Sequence, residues 1–410
     1  MTRIGMNPAI LYISYTGLLD PLGQSQVLQY VAGLAPQYRM TLLTFEKPEA
    51  LGDAVRLAAL EHQCRAAGVD WHYLQYHQRP RLLATLYDVL MGASKGRALA
   101  RGAAVQVVHC RSYLAALMGL LARTGTGARH LFDMRGFWVD ERVDGGLWRR
   151  NSLQYRAFKY LERVLFTRTD HVVSLTHAGR VELGKFEYLA SKPPPVTVIP
   201  TCTNLEIFRV IENGTRVGEH FTLGYVGSAG SWYLFDDVAR VVNLLFAHNP
   251  AARFLVINKT GHNEIRATLL RHNVDLTRVE IKAVDYCDVT GEIARMDAGV
   301  FFIKPVWSKH ASCPTRLGEF LASGKPVLTN GKVGDVEDDV KQTRTGVVIN
   351  DMEQETLHQA LLALLNIAAE PGVAQRCRKA AQDRFSLGIG IQRYSAIYTS
   401  LVADRARGTE

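Results

Sequence analysis

Residues 308–330 place an arginine and a glutamate on one short predicted helix. A continuous apolar run at 298–303, typical of a buried parallel strand, precedes this segment, and Pro314 suits the first helical turn because its missing N–H would be unpaired there anyway. Backbone amides at a helix start favour an anion, and Arg316 adds positive charge. Glu319 could accept hydrogen bonds from sugar hydroxyls. The pattern indicates a nucleotide-sugar site; the alternative is a helix whose Arg316 and Glu319 are solvated.

A glycine-rich loop in the same half of the chain could supply a second part of this site. A predicted strand at 222–226 runs into Gly227, Ser228 and Gly230, and a predicted helix follows at 233–247. Glycines leave room for backbone amides to meet a diphosphate at a helix start. The loop contains no basic residue, so positive charge would have to come from other segments. The candidates are Lys259, Lys304, Lys309 and Arg316.

The wording "SCPTRLGEFLASGKPV" resembles the donor-binding motif of family 4 retaining glycosyltransferases, in a bacterial subgroup that builds surface polysaccharides. The resemblance implies that Glu319 binds the donor ribose and that Arg316, where the subgroup carries lysine, acts in catalysis on the diphosphate. It also assigns Ser312, Pro314 and Thr315 to the donor site. The wider family has another glutamate eight positions before Glu319, where this chain has Ala311. The role of that glutamate must therefore be filled by another group or not at all.

Three segments of the first half match the acceptor side in this family. "VVHCRS" is similar to a segment whose histidine, here His109, lies beside the donor sugar and is a catalytic candidate. "LGQSQ" resembles the loop after the first strand, and "FDMRGFWVDE" resembles a subgroup signature. The acceptor-binding residues so implied are Gly17, Gly23, Gln24, Arg111, Asp133, Arg135 and Trp138. The alternatives are a structural histidine and an ion-pair network within the core.

The positions of these clusters relative to the predicted strands support a ligand site. Strands predicted at 105–108 and 130–132 would end just before His109 and Asp133, at the edge where parallel sheets bind ligands. Another acid, Glu46, ends a strand predicted at 40–45 and could hold an adenosine ribose. The preceding loop lacks G-x-G-x-x-G, so this dinucleotide reading is weak.

Strands and helices alternate along the whole chain, which favours parallel sheets covered by helices. The predicted fold class is α/β, and the resemblance implies the GT-B architecture of two doubly wound, Rossmann-like domains facing a cleft. The expected domains are an acceptor-side domain at 1–204, onto which 386–410 crosses back, and a nucleotide-sugar-binding domain at 205–385. "VIPTCTNLEIF", at 198–208, resembles the hinge between them.

Composition sets the class of protein. The chain has 410 residues, 47% of them hydrophobic and 21% charged, with a net charge of +9. The six cysteines are scattered, which indicates neither a zinc site nor a disulfide framework, so a reducing cytosol is expected. The apolar N-terminal stretch reads as a first strand rather than a signal peptide. No Asp-x-Asp motif lies in a plausible donor loop, and neither metal nor cofactor is expected.

The positive charge gathers on two predicted helices of the first half, at 79–101 and 147–168. Basic helices with an apolar side can lie on an anionic membrane. The alternative is two ordinary amphipathic helices whose apolar residues are all core. Nucleic acid is disfavoured, because no recognised binding module is present and no basic stretch alternates with stacking aromatics. The expected location is the cytoplasm, with peripheral contact to the inner face of the membrane.

The function expected from this resemblance is transfer of a hexose, with retention and without a metal, from a nucleotide-sugar to a glycan or polyprenyl-linked acceptor in cell-surface polysaccharide synthesis. Two alternatives stay open. Because Ala311 replaces a family glutamate and the glycine loop lacks basic residues, the chain could be a non-catalytic subunit that binds a sugar or a partner enzyme. A nucleotide-sugar epimerase of similar fold also fits.

Overall fold

The computed structural model describes residues 7–211, 220–286 and 288–407. The chain divides into two compact units, hereafter unit 1 (residues 1–199 with 387–410) and unit 2 (residues 200–386). The predicted boundaries were placed after residue 204 and before residue 386. Cys287 lies outside the described residues, and no disulfide joins any of the other five cysteines to one another.

Unit 1 is built on a parallel sheet that has seven strands within the described residues, in the order β3-β2-β1-β4-β5-β6-β7. The strands are β1 Ala9–Ser14, β2 Arg39–Glu46, β3 Val69–Gln75, β4 Val107–Arg111, β5 Arg129–Asp133, β6 His171–Ser174 and β7 Val196–Val198. The helices are α1 Pro21–Gly23, α2 Gln29–Leu34, α3 Pro48–Leu51, α4 Ala54–Ala66, α5 Arg81–Gly102, α6 Tyr113–Ala122, α7 Trp138–Asp144, α8 Leu153–Arg168 and α9 His177–Gly184.

Unit 2 repeats the pattern with a parallel sheet of six strands among the described residues, in the order β10-β9-β8-β11-β12-β13. The strands are β8 Thr222–Val226, β9 Arg253–Ile257, β10 Val279–Lys282, β11 Ala298–Val300, β12 Val327–Asn330 and β13 Gly346–Ile349. The helices are α10 Phe235–His248, α11 His262–Arg271, α12 Val289–Ala294, α13 Thr315–Ala322, α14 Val336–Thr343, α15 Gln354–Ala369 and α16 Val373–Arg384.

The predicted fold class is confirmed, because each unit is a doubly wound, Rossmann-like parallel sheet in which the strand order reverses beside the first strand. A final helix, α17 Leu387–Arg407, returns to unit 1, where it packs against α2 and the β4 and β5 strands. Within the ranges the structure describes, no helix combines the length and apolarity needed to cross a membrane.

Two strands of unit 1 extend further than their predicted ends. β4 includes His109 and Arg111, and β5 includes Asp133. His109 and Asp133 were expected in loops just past these strands, and this placement was wrong. Both side chains are buried, because α17 covers this part of the sheet and supplies hydrogen-bond partners from far along the chain.

The carboxylate of Glu46, at the end of β2, ties the loop after β1 to the sheet. Its oxygens accept hydrogen bonds from the backbone amides of Leu18 at 2.7 Å and Leu19 at 3.0 Å, and from the Thr44 hydroxyl at 2.7 Å. Gly17 permits this approach, since a Cβ there would lie 2.2 Å from Glu46 Oε2. Glu46 is 1% exposed, so the loop already occupies the carboxylate that the dinucleotide reading assigned to a ribose.

We therefore predict that Glu46→Ala destabilises unit 1 by about 2 to 4 kcal/mol, since it leaves two buried amides without acceptors. Thermal unfolding followed by circular dichroism should show a lowered midpoint. Glu49→Ala, at an exposed position of α3, is the matched control and should unfold like the parent. An unchanged midpoint for Glu46→Ala would contradict this account of the loop.

Candidate functional site

A single arginine on α13 is enclosed by aromatic rings from two other segments of unit 2. The Arg316 guanidinium lies 4.1 Å from the ring centroid of Tyr233, 4.8 Å from that of Tyr225 and 5.8 Å from that of Phe301. The residue is only 6% exposed. Cation–π contacts of this kind strengthen when water is excluded. The rings therefore hold a positive charge beside the loop that follows β8.

One side of the Arg316 fork is engaged and the other is available. Nη2 donates to the Ser228 carbonyl at 3.2 Å, and Tyr225 donates to the same carbonyl at 2.5 Å. Nη1 is buried and has no hydrogen-bond partner within the described part of the chain. A buried cation with an unused donor is costly unless a ligand completes it. This geometry suits a diphosphate oxygen.

The loop after β8 brings its backbone close to this guanidinium. Gly227 adopts φ +100°, where side chains are strained, and a Cβ there would lie 2.6 Å from Arg316 Nη2. Asn258 fixes the loop by donating to the Gly227 carbonyl at 2.8 Å. No described residue accepts a hydrogen bond from the amides of Ser228 and Ala229. Two backbone donors and one guanidinium donor thus lie beside the same loop.

Glu319 lies one helical turn beyond Arg316 and is half-buried. Burial raises the pKa of its carboxyl to about 7, although Arg316 opposes this shift. Across the described ranges, no group donates a hydrogen bond to this carboxylate. A desolvated acceptor without a protein donor is a candidate ligand contact. Its neighbour Tyr286 also has a raised pKa, from burial and from the Glu319 charge.

The other predicted donor residues fall into two groups. Ser312, Pro314 and Thr315 lie at the start of α13, where Pro314 takes the N-cap position rather than the first turn and no side chain caps the helix. Lys259 is exposed and paired with Asp285 at 3.1 Å. Gly230 turns the chain towards α10 by accepting from the amide of Trp232 at 2.7 Å.

Sequence reasoning missed the aromatic residues that hold the basic groups, although the letters Trp232 and Tyr233 follow the glycine loop directly. Besides Tyr233 under Arg316, the Trp232 ring lies 4.0 Å from Lys309 Nζ. Lys309 is 7% exposed. The loop thus lacks basic residues of its own but gathers two from elsewhere. Ala311, in the place of the family glutamate, is completely buried.

Unit 1 contains a cavity of about 860 Å³, which the predicted acceptor residues Arg111 and Trp138 help to line. The cavity is also lined by the histidine of a His77–Asp88 pair, which was not predicted from the sequence. His77 Nδ1 lies 2.6 Å from Asp88 Oδ1, and Tyr15 donates to Asp88 Oδ2 at 2.7 Å. His77 and Tyr15 line the cavity, while Asp88 is 1% exposed. The available signal was that Asp88 is the sole acid between residues 79 and 101.

His109, Asp133 and Arg135 form a buried network beneath α17. His109 Nδ1 lies 2.6 Å from the Tyr398 hydroxyl, and Tyr394 donates to Asp133 at 3.0 Å. Burial lowers the pKa of His109, so the ring is neutral at pH 7 even though Asp133 opposes the shift. The ring is 0% exposed. A catalytic role for His109 stays a prediction, and its contacts are those of a positioning residue.

The remaining acceptor candidates belong to the loop after β1. Gly17 is packed against Glu46, and a Cβ on Gly23 would lie 1.9 Å from the Gly17 carbonyl. Gln24 begins a π-helical turn, Gln24–Leu28. Their contact with an acceptor stays a prediction. Among described residues, no cluster of His, Cys, Asp or Glu is arranged to hold a metal ion.

Residues 23–202 match the model of a family described as a glycosyl transferase 4-like domain. The chain carries a glycosyl transferase 4-like domain. The predicted resemblance to family 4 is thus confirmed, and the family domain together with the fold supports a glycosyltransferase. Among curated proteins, none matches the sequence.

Solved structures share the fold at low sequence identity. Sucrose-phosphate synthase from Thermosynechococcus elongatus has a TM-score of 0.74 at 16% identity, over 97% of this chain and 100% of that one. Anabaena HepE, solved with UDP and glucose, has a TM-score of 0.69 at 12% identity, over 95% and 99%. The lipopolysaccharide outer core galactosyltransferase WaaB has a TM-score of 0.59 at 13% identity, over 96% and 99%.

The raised pKa of Glu319 makes a prediction about stability. Its folded-state value of about 7 exceeds the ordinary 4.5, so the parent loses stability as pH rises from about 4.5 to 7, where ionisation is harder in the folded state. Glu319→Gln removes that loss. The variant should exceed the parent at pH 8 by on the order of 1 to 3 kcal/mol, and much less at pH 5.

The measurement is thermal or denaturant unfolding of both proteins at the two pH values. Glu206→Gln, which changes an exposed glutamate of the same unit, serves as the control and should show no such pH-dependent gain. If Glu319→Gln gains as much at pH 5 as at pH 8, the carboxyl is not the buried, desolvated group described above.

Proposed function

We propose that this protein transfers a hexose from a nucleotide-sugar to a hydroxyl of a glycan or polyprenyl-linked acceptor, with retention at the anomeric carbon and without a metal. The observation that carries the proposal is Arg316, whose buried Nη1 has no partner among the described residues and lies beside a loop with two free amides. A diphosphate supplies the acceptors that these donors need.

Each group would have a separate task. The guanidinium of Arg316, with the amides after Gly227, would stabilise the negative charge that grows on the diphosphate as its bond to the sugar carbon breaks. The acceptor oxygen forms the new bond to that carbon, and its proton passes to the departing phosphate. Glu319 would accept hydrogen bonds from the ribose. Because the positive charge comes from a side chain, the step needs no metal ion.

The acceptor would bind in unit 1, where the cavity provides Arg111, Trp138 and the His77–Asp88 pair for a polyhydroxylated ligand. We place the protein in the cytoplasm at the inner face of the membrane, in surface-polysaccharide synthesis. Two observations support this: the exposed Arg149, Arg150 and Arg156 around the start of α8, and the WaaB neighbour, which acts on the lipopolysaccharide outer core. HepE was solved with UDP and with UDP-glucose, which supports a nucleotide-sugar donor.

A direct test incubates the purified protein with UDP-, GDP-, ADP- and dTDP-sugars, with and without membrane extract as acceptor, in the presence of a chelator. We expect release of one nucleoside diphosphate that the acceptor stimulates and the chelator does not suppress. Complete loss on chelation, restored by metal, would contradict the metal-free step. Sugar isomerisation without transfer would favour the epimerase, and binding without reaction would favour the non-catalytic subunit.

Variants of the same assay identify the groups responsible. Arg316→Lys keeps the charge but loses the fork, and should lower turnover at least about tenfold. Glu319→Ala should weaken donor binding by roughly 1.5 to 3 kcal/mol, seen as a raised KM for the donor. Lys379→Ala, on the exposed side of α16, is the control for loss of a basic residue. Parental kinetics in both site variants, with folding intact, would remove the site assignment.

A further inference from the structure

The outward side of α5 is apolar over three helical turns. Six large apolar side chains there are between 40% and 66% exposed: Leu82, Leu83, Leu86, Tyr87, Leu90 and Met91. We call these six the α5 face. The next outward positions, Ser94 and Ala98, are also uncharged. An ordinary surface helix carries charged or polar residues on this side, so an apolar patch of this size marks an interaction surface.

The inward side of the same helix explains why its large apolar residues lie outside. α5 packs on α6, and its buried side carries small residues, among them Ala84, Gly92, Ala93 and Gly96. A Cβ on Gly92 would lie 2.6 Å from the sulfur of Met118. The leucines could not be accommodated on that side. Apart from Val89, the apolar residues that the helix buries are small, and Leu82, Leu83, Leu86 and Leu90 lie outside, which reverses the usual pattern.

The α5 face adjoins the cavity of unit 1. Leu82 is 66% exposed and lines the cavity, and on another wall of the cavity Leu147 is 59% exposed and lines it too. α8, which also borders the cavity, exposes Leu153 at 82% and Tyr160 at 70%. The cavity lining thus combines polar groups, such as His77 and Arg111, with exposed apolar residues. We call Leu82, Leu147 and the nearby Leu153 the apolar rim.

Basic residues surround this rim, whereas the α5 face itself is uncharged. Arg79 is exposed just before α5 and lines the cavity, and Arg149, Arg150 and Arg156 are exposed around the start of α8. An apolar centre with a cationic border matches the interface of an anionic bilayer, where hydrocarbon lies beneath a layer of phosphates. A second copy of this chain fits less well, because it would bring the same positive charges together.

We propose that the α5 face and the apolar rim dock on an anionic bilayer, so that the cavity opens onto the headgroup layer. The acceptor, whose existence rests on the proposed function, is then an amphiphile: its polar head enters the cavity and its hydrocarbon chain stays in the membrane. Docking has two parts. Arginines supply a salt-sensitive attraction, and the α5 face supplies a salt-resistant one by burying apolar surface.

The test measures sedimentation of the full chain with vesicles of phosphatidylglycerol and phosphatidylcholine, at low and at 0.5 M salt. The parent should bind at low salt and keep a weaker, measurable affinity at high salt. A triple serine variant of the α5 face should lose about tenfold or more of that salt-resistant affinity. An arginine-to-glutamine variant should lose mainly the low-salt part. The changes are Leu82→Ser, Leu86→Ser and Leu90→Ser in the first, and Arg149→Gln, Arg150→Gln and Arg156→Gln in the second.

The matched control replaces three equally exposed apolar residues elsewhere, by Val55→Ser, Val181→Ser and Leu270→Ser. It should bind vesicles like the parent. A second rim variant, Leu147→Ser with Leu153→Ser, should also lose salt-resistant affinity. The proposal is overturned if the α5 variant binds like the parent, if the control loses as much, or if size-exclusion shows that the α5 face instead joins two copies of the chain.

Failure of this proposal can be told apart from failure of the proposed function. The vesicle assay needs neither donor nor turnover. The proposed nucleotide site is built from residues of unit 2, whereas the residues changed in the α5, rim and arginine variants all belong to unit 1. Vesicle binding without release of a nucleoside diphosphate would retain the docking surface and remove the transferase. Release of the diphosphate with no vesicle binding would retain the transferase and remove the docking surface.

Discussion

The Arg316 guanidinium is a buried positive charge, and much of the arrangement of unit 2 around it follows from the need to stabilise that charge. Ring faces from Tyr225 and Tyr233 and the carbonyl of Ser228 do this in part. They can do so only because Gly227 lacks a side chain where the guanidinium lies. The Arg316 side chain therefore ties α13 to β8 and its loop through several contacts. It still leaves one guanidinium nitrogen for a ligand. Glu319, one turn away, is under the opposite constraint, since partial burial disfavours its negative charge and raises the pKa of its carboxyl.

This arrangement explains how the glycine loop acquires positive charge. The glycine loop carries no basic residue, so positive charge for a diphosphate has to come from other segments. The structure shows the loop's own aromatics, Trp232 and Tyr233, holding Lys309 and Arg316 from later in the chain. In our proposal, Lys309 and Arg316 supply the positive charge that the loop itself lacks. The Ala311 side chain is completely buried, so a glutamate at this position would not reach solvent or a ligand.

The fold was predictable because parallel strands in the centre of a sheet are continuous apolar runs, and β8, near the centre of the unit 2 sheet, was placed with the bounds observed. β3 was missed because it is an edge strand with mixed, partly exposed residues. Periodicity located the leucines of α5 on one side but could not say which side faced water. His109 and Asp133 were assigned to loops because polar residues usually end buried strands, and their partners, Tyr394 and Tyr398, lie more than 250 residues away. Local patterns carry no information on such contacts.

The central claim is that Arg316 and Glu319 together receive a nucleoside diphosphate. The most direct measurement is a crystal structure of the protein with whichever of UDP, GDP, ADP or dTDP it binds. The account predicts a diphosphate oxygen within about 3.2 Å of Arg316 Nη1 and a ribose hydroxyl on the Glu319 carboxylate. A nucleotide bound elsewhere in the chain, with Nη1 of Arg316 still unpartnered, would contradict it.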